Sequence, residues 1–281
     1  MADLLALDGL AKHFGGIRAT DGVTLDVRAG ELHALIGPNG AGKTTLIHLV
    51  SGALAADEGS VRFDGDDVTR LTMHERAGRG LVRSYQITSI FPHLTALENL
   101  RLAVQSRRQD WGSSFRFWQP AARDAAMTEE AAALLAEVDL AGRGTAQAAD
   151  LAHGEQRCLE LGMALATKPR LLLLDEPLAG MGREESERMA ALIAGLKGRV
   201  TVLLVEHDMD IVFRLADRIS VLVAGRIVAT GTPDAIRDDP HVRRAYLGDE
   251  IVPIDRTLPP VRAQRPCGLP LHGEGRRGDG T

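Results

Sequence analysis

Cysteine is scarce in this sequence: 281 residues hold two, Cys158 and Cys267. They lie far apart without metal-type spacing, so a disulfide framework is excluded and a reducing compartment with two free thiols is expected. Long apolar runs are missing as well. The longest, Leu171 to Leu174 and Val200 to Val205, are bounded by charge and fall far below the roughly 18 residues that span a bilayer. Any membrane role must therefore pass through other polypeptides. The first residues, MADLLALDGL, put acids where a secretory signal needs a basic start, and no small-residue cleavage site follows a long apolar stretch. The chain is expected to stay in the cytosol. Positive charge is not in excess either, and the formal net charge of -5 argues against non-specific binding to nucleic acid. No internal repeat is visible.

What is present fits a globular chain: 44% hydrophobic and 25% charged residues, enough to bury a large core in one domain with an elaboration. Short apolar runs alternate with longer helical patterns, the rhythm of a mostly parallel α/β sheet. Leu32 to Ile36, Leu171 to Leu174 and Val200 to Val205 lack polar alternation, which predicts parallel strands covered on both faces. Two regions predict antiparallel pairing. One joins Leu4–Asp8 to Val23–Val27 near the start, and the other joins Ser220–Val223 to Arg226–Thr230 around Ala224-Gly225. The Ala- and Glu-rich middle, Thr95 to Ala149, reads as helical. The layout is thus an α/β domain over residues 1 to 248, with a helical subdomain at about residues 87 to 160 inserted in it. From Asp249 Pro and Gly become frequent and periodicity ends, so residues 249 to 281 are expected to lack fixed structure. Arg76, Arg79 and Arg83 read as a solvated helical face.

The sharpest motif is GPNGAGKT, Gly37 to Thr44, between the strand ending at Ile36 and a helix predicted over Thr45 to Ala53. Its residues, Gly37, Pro38, Asn39, Gly40, Ala41, Gly42, Lys43 and Thr44, with Thr45 next in the chain, form a phosphate loop. Backbone N–H groups close around phosphates, Lys43 reaches the β and γ phosphates, and Thr44 can hold Mg²⁺. The second motif is LLLLDEP, Leu171 to Pro177. A buried strand ends in Asp175, placed for the Mg²⁺ shell, and Glu176 comes next, where a carboxylate can orient or deprotonate an attacking water. Nucleotide hydrolysis is the expected chemistry.

Upstream of that second motif lies LAHGEQR, Leu151 to Arg157, where the ABC ATPase family carries its signature LSGGQ. The sequence resembles that family from about Leu4 to Asp249. The resemblance implies a P-loop NTPase core that binds ATP and Mg²⁺, and a head-to-tail dimer. In that dimer the phosphate loop of one subunit and the signature of the other, here Ala152, His153, Gly154 and Glu155, enclose each nucleotide. It implies that Phe14 stacks on adenine, that Gln86 touches Mg²⁺ and links the site to a transmembrane partner, and that His207 contacts the γ-phosphate. Read alone, Phe14 could equally be a core residue. There are two departures. Ala152, His153 and Glu155 replace Ser, Gly and Gln of the signature, and Gly182 stands where the loop after the second motif usually carries Asp or Asn.

The long stretch from Arg101 to Ala121 and the ending AIRDDPHVRRAYLGDE resemble the ATPases of branched-chain amino acid importers. That subgroup implies a peripheral position on the cytoplasmic face of the inner membrane. Its implied partners are transmembrane permeases, a second ATPase subunit, and indirectly an extracytoplasmic solute-binding protein. The lipopolysaccharide-export ATPase is the alternative resemblance. Ribosome- or DNA-acting members usually have two cassettes or heptad arms, and neither occurs here. The Asn-Lys-x-Asp motif for guanine is also absent. Trp111, Phe115, Phe117 and Trp118 among Arg107, Arg108 and Arg116 read either as a membrane or partner surface or as a small local core.

Overall fold

The computed structural model describes residues 3–84, 90–108 and 121–242. Gln86, the Trp111 to Trp118 cluster and the tail from residue 243 lie outside the described residues.

Two sheets organise the chain. The first is antiparallel and formed by β1 (Asp3–Phe14), β2 (Ile17–Arg28), β4 (Glu58–Phe63) and the short β5 (Asp66–Asp67), in the order β2-β1-β4-β5. Leu5 faces Val27 and Leu7 faces Leu25, within the two segments expected to pair, and the pairing runs on through register shifts to Phe14 and Ile17. The second sheet has the order β10-β9-β3-β8-β7-β6. Its strands are β3 (Leu32–Ile36), β6 (Leu81–Ser84), β7 (Leu171–Asp175), β8 (Thr201–Val205), β9 (Arg218–Val223) and β10 (Arg226–Gly231). All neighbours are parallel except β9 and β10, the predicted hairpin.

Every residue of β3, β7 and β8 is buried, because each strand serves two cores. Successive side chains point to opposite faces. Leu172, Leu174, Val202 and Leu204 pack on one side with α5 (His153–Ala166) and α6 (Arg183–Ala194). Leu171, Leu173, Leu203 and Val205 pack on the other with α1 (Lys43–Ser51) and the antiparallel sheet. Full burial of each such side chain contributes about 1.5–3 kcal/mol, so an uninterrupted Leu/Val run here is a strand with no solvent face. Helix α1 starts two residues earlier than predicted and stops at Gly52, whose φ of 79° closes it in the left-handed conformation.

Between β6 and β7 the described residues are mostly helical. α3 (Ala96–Arg108) and α4 (Ala121–Glu137) pack with α5 over one core. Thr95 and Glu98 cap α3 reciprocally, at 2.8 and 3.2 Å. Buried Asn99 ties that entry down, accepting from Phe91 N–H and donating to the Phe91 and Thr95 carbonyls.

The arginine expectation fails at two of three positions. Arg76, on α2 (Met73–Gly78), is buried and donates to the carbonyls of Leu49, Val50, Thr69 and Leu71. The C-terminal carbonyls of α1 have no partners within their own helix, and a guanidinium satisfies them while its charge favours that end of the helix dipole. Arg83 is on β6, and its side chain is inside the protein against Asp175. Arg79 alone is exposed.

Two ion pairs join the sheets: Arg218 of β9 to Asp26 of β2 at 2.7 Å, and Arg226 to Asp21 at 2.7 Å. The remaining α-helices among the described residues are α7 (Met209–Leu215), α8 (Pro233–Asp238) and the single turn α9 (Pro240–Val242). No helix among the described residues is long and apolar enough to cross a membrane.

Candidate functional site

The loops that leave β3, β8 and β7 emerge together, because these three strands are parallel neighbours in that order. Open α/β sheets bind ligands at such carboxyl ends. The first loop carries residues 37 to 42 and is held by main chain. A Cβ on Gly37 would sit 2.1 Å from the Leu222 carbonyl oxygen, and one on Gly42 would sit 2.1 Å from that of Ala19. Gly42 also has φ 104°, so only glycine fits there. Ala41 O accepts from Gly225 N–H, and Gly225 O from Asp21 N–H, both at 2.9 Å. The β9–β10 turn thereby locks the loop against β2.

Gly42 gives α1 no side-chain cap, and its first turn holds no acid. Its leading N–H groups are therefore open to an anion. Lys43 folds over them, its Nζ donating to Gly37 O at 2.6 Å and Pro38 O at 3.1 Å. Burial lowers the Lys43 pKa, while the charges of Glu176 and Asp175 oppose that shift. A desolvated ammonium facing two carboxylates is suited to receiving phosphate.

Asp175 ends β7 with its side chain fully enclosed, and Arg83 donates to its Oδ2 at 2.9 Å. Burial raises its pKa against the opposing Arg83 charge. Its Oδ1 is buried with no hydrogen-bond partner. Such an oxygen, near a helix whose first turn exposes Thr44, fits the oxygen ligands that Mg²⁺ takes. Glu176 is next, half-buried, with φ 50°, a left-handed backbone that a non-glycine residue holds only under constraint. Its N–H donates to Val205 O at 2.8 Å, so β8 fixes where it leaves the sheet. His207 comes just after β8, its side chain 62% exposed.

Phe14 is 50% exposed at the end of β1, which removes the core reading and leaves an open aromatic face. Asp57 stiffens that strand end, pairing with Lys12 Nζ and accepting from His13 N–H, each at 2.7 Å. Lys12 Nζ lies 5.9 Å from the Phe14 ring centroid.

Ala152, His153, Gly154 and Glu155 open α5 in a second cluster. Ala152 and His153 are exposed, whereas Gly154 is buried beneath Glu185, whose Cδ would be 2.8 Å from an added Cβ. Glu155 turns back to accept from Ala152 N–H at 2.9 Å and pairs with Arg143 at 2.9 Å. Glu185 does the same for Gly182 N–H at 3.2 Å. Ala152 and Gly182 have no side-chain acceptor, so each helix start has only this half of a capping box. Among the described residues no hydrogen bond or ion pair joins Ala152–Glu155 to the phosphate loop.

Sequence reading missed Arg83 and Glu206. Glu206 is wholly buried and binds the backbone of the loops on both sides of it; the one signal was an acid set directly between a buried strand and His207.

Known proteins place the chain among relatives. The family described as ABC transporter matches residues 20–179, and that described as branched-chain amino acid ATP-binding cassette transporter matches residues 226–252. The high-affinity branched-chain amino acid transport ATP-binding protein BraF of Pseudomonas aeruginosa is 41% identical over 250 residues, 88% of this chain and 98% of its own. The lipopolysaccharide export system ATP-binding protein LptB of Haemophilus influenzae is 35% identical over 248 residues, again 88% of this chain and 98% of its own. A solved ATP-binding cassette of an ABC transporter, in its ADP conformation, superposes with a TM-score of 0.76 at 31% identity, covering 89% of this chain and 100% of that one.

Proposed function

This chain belongs to the ABC transporter ATPases, and from that premise we propose that it energises import of branched-chain or other hydrophobic amino acids, its hydrolytic site built from the ends of β3, β7 and β8. ATP hydrolysis coupled to transport is the family's chemistry. The observation that carries the site assignment is the convergence of Lys43, Asp175, Glu176 and His207 on three adjacent parallel strands. The amino acid reading is supported by the match over residues 226–252 and by the identity with BraF. Lipopolysaccharide export is the second reading, supported by LptB.

In this mechanism Phe14 offers its open face to adenine. The N–H groups of the loop from Gly37 through Thr45 and the ammonium of Lys43 hold the phosphates. Mg²⁺, when bound, would supply positive charge to the phosphate, and Thr44, Asp175 and Gln86 would hold it. Glu176 orients the attacking water and takes its proton, while His207 fixes the γ-phosphate. Ala152 to Glu155 of a second subunit, this chain or a sister, close the site from the opposite side. Permease subunits then place the dimer on the cytoplasmic face of the inner membrane, and a solute-binding protein delivers substrate outside. The segment at about residues 87 to 160 is the helical subdomain that answers to the permeases, within a domain ending near residue 248.

Glu176→Gln is expected to lower turnover by about 10²–10⁴-fold, the usual share of general-base catalysis, and to trap an ATP-bound dimer by size-exclusion chromatography. Full turnover in that variant would sink the mechanism. For the transported class, the tagged chain extracted from its host membrane is expected to bring down two permeases and a second ATPase; export-type membrane subunits would instead select the second reading.

A further inference from the structure

Glu206 comes directly after β8 and is completely buried between the two loops that carry the hydrolytic groups. Its Oε1 accepts from Leu178 N–H at 2.9 Å, two residues beyond Glu176, and its Oε2 accepts from His207 N–H at 3.1 Å. The His207 ring, through Nδ1, lies 3.7 Å from the same Oε2. The loop after Glu176 also has turn bonds of its own, from Ala179 N–H to Glu176 O and from Met181 N–H to Leu178 O. Those bonds move with the loop. Two ties anchor it to the end of β8: the Glu176 to Val205 backbone bond and the Glu206 carboxylate.

A buried acid is costly to desolvate, and two backbone donors at hydrogen-bond distance are what offset that cost. Glu176 meanwhile sits at φ 50°, a conformation that persists only where its surroundings over-determine it. We propose that Glu206 is a positioning residue that ties the loop of Glu176 to the loop of His207, so that the water-activating carboxylate and the γ-phosphate contact are set as one unit. This rests on the hydrolytic roles assigned above to Glu176 and His207. Nucleotide binding through Phe14 and the phosphate loop makes no use of it. The signature of Glu206 is therefore a loss in kcat without a matching change in KM.

Alanine removes both acceptors, while glutamine keeps one for Leu178 and turns an amide N–H₂ toward His207 N–H. The expected order of kcat is wild type, then Glu206→Gln, then Glu206→Ala. A misplacement of about 1 Å can cost about 10²-fold, and that is the loss expected for alanine, with several-fold for glutamine. The experiment measures ATPase kcat and KM of the full chain, affinity for a fluorescent ADP analogue, which lacks the γ-phosphate that His207 contacts, and amide hydrogen exchange at Leu178 and His207, with Glu176→Gln alongside. Support is a fall in kcat in the stated order that exceeds any change in KM, with ADP-analogue affinity within about twofold of wild type and faster exchange at both amides. If Glu206→Ala keeps kcat within about twofold while Glu176→Gln is inactive, the positioning role is wrong and the site assignment stands. If Glu176→Gln is itself fully active, the site assignment falls and this role with it. Parallel loss of kcat and analogue affinity means general disruption and also overturns the proposal. Should alanine fail to fold, glutamine decides, and a wild-type kcat there refutes it.

Discussion

The starts of α1 and α5 treat their leading N–H groups in opposite ways. Helix α1 opens on Gly42 with no side-chain cap and no acid in its first turn, and buried Lys43 adds positive charge. Helix α5 opens on Ala152 with Glu155 folded back onto the first N–H and paired to Arg143, and Glu185 lies over Gly154. One helix start keeps its donors and dipole for an anion; the other has its Ala152 N–H taken by Glu155 and the Glu185 side chain lying over Gly154. A helix N-terminus is a phosphate site only while nothing intramolecular neutralises it. The two halves of the proposed nucleotide sandwich are thus unequal in this chain, and affinity for ATP should reside mostly at the α1 end.

The largest effect expected from testing that inequality is at Arg83, which holds the carboxylate beneath the α1 site. Arg83→Met leaves the enclosed Asp175 carboxylate without its cation, which typically costs about 3–5 kcal/mol. Burial raises the folded-state pKa of Asp175. Removing Arg83 takes away the charge that opposes this, so the pKa rises further. A raised carboxylate pKa contributes stability below the unfolded value that is lost as pH rises through the folded one. The gap in melting temperature between variant and wild type should therefore be wide at pH 8 and narrow as pH falls toward 5, measured without Mg²⁺. A gap independent of pH would mean that Arg83 acts by packing alone.

Next in size is Lys43→Met. It removes a charged donor from the open end, and hydrogen bonds to charged groups contribute about 1.5–3 kcal/mol each. ATP affinity is expected to fall about 10²-fold by equilibrium dialysis. An equal fall from His153→Ala would put the two ends on a par and break the comparison.

The same contrast separates what was legible in the sequence from what was not. Gly37, Gly42 and the run ending in Asp175-Glu176 were readable because backbone geometry and double-sided burial dictate them locally. The antiparallel pairing of Leu4–Asp8 with Val23–Val27 was readable because each is a short apolar-rich run near the other in the chain. Arg76, Arg83 and Glu206 were not, since for each a partner that turns it inward, Leu49, Asp175 or Leu178, lies 27, 92 or 28 residues away and no period links them. Arg76 and Arg83 looked like one solvated face, yet a helix and a strand turn them inward to separate tasks. The half-caps by Glu155 and Glu185 were hidden for another reason. Ala152 and Gly182 looked like losses of a side chain, whereas the structure gives their N–H groups to a carboxylate three residues on.

The smallest effect is the most direct test of the closed end. Glu155→Gln keeps an oxygen for Ala152 N–H but removes the negative charge, and a single charge at a helix N-terminus contributes about 0.3–1 kcal/mol. The helix itself loses that favourable interaction, so thermal stability should fall slightly. The phosphate of a nucleotide presented by the opposite subunit should gain, because the charge that repelled it is gone. In a Glu176→Gln background, where ATP is held without turnover, the ATP concentration for half-maximal dimer should drop about twofold to fivefold by light scattering. If it rises instead, Arg143 already cancels the Glu155 charge, and the intact pair holds Arg143 where it favours the phosphate. The inequality of the two ends would then be one of hydrogen bonding, with no electrostatic part.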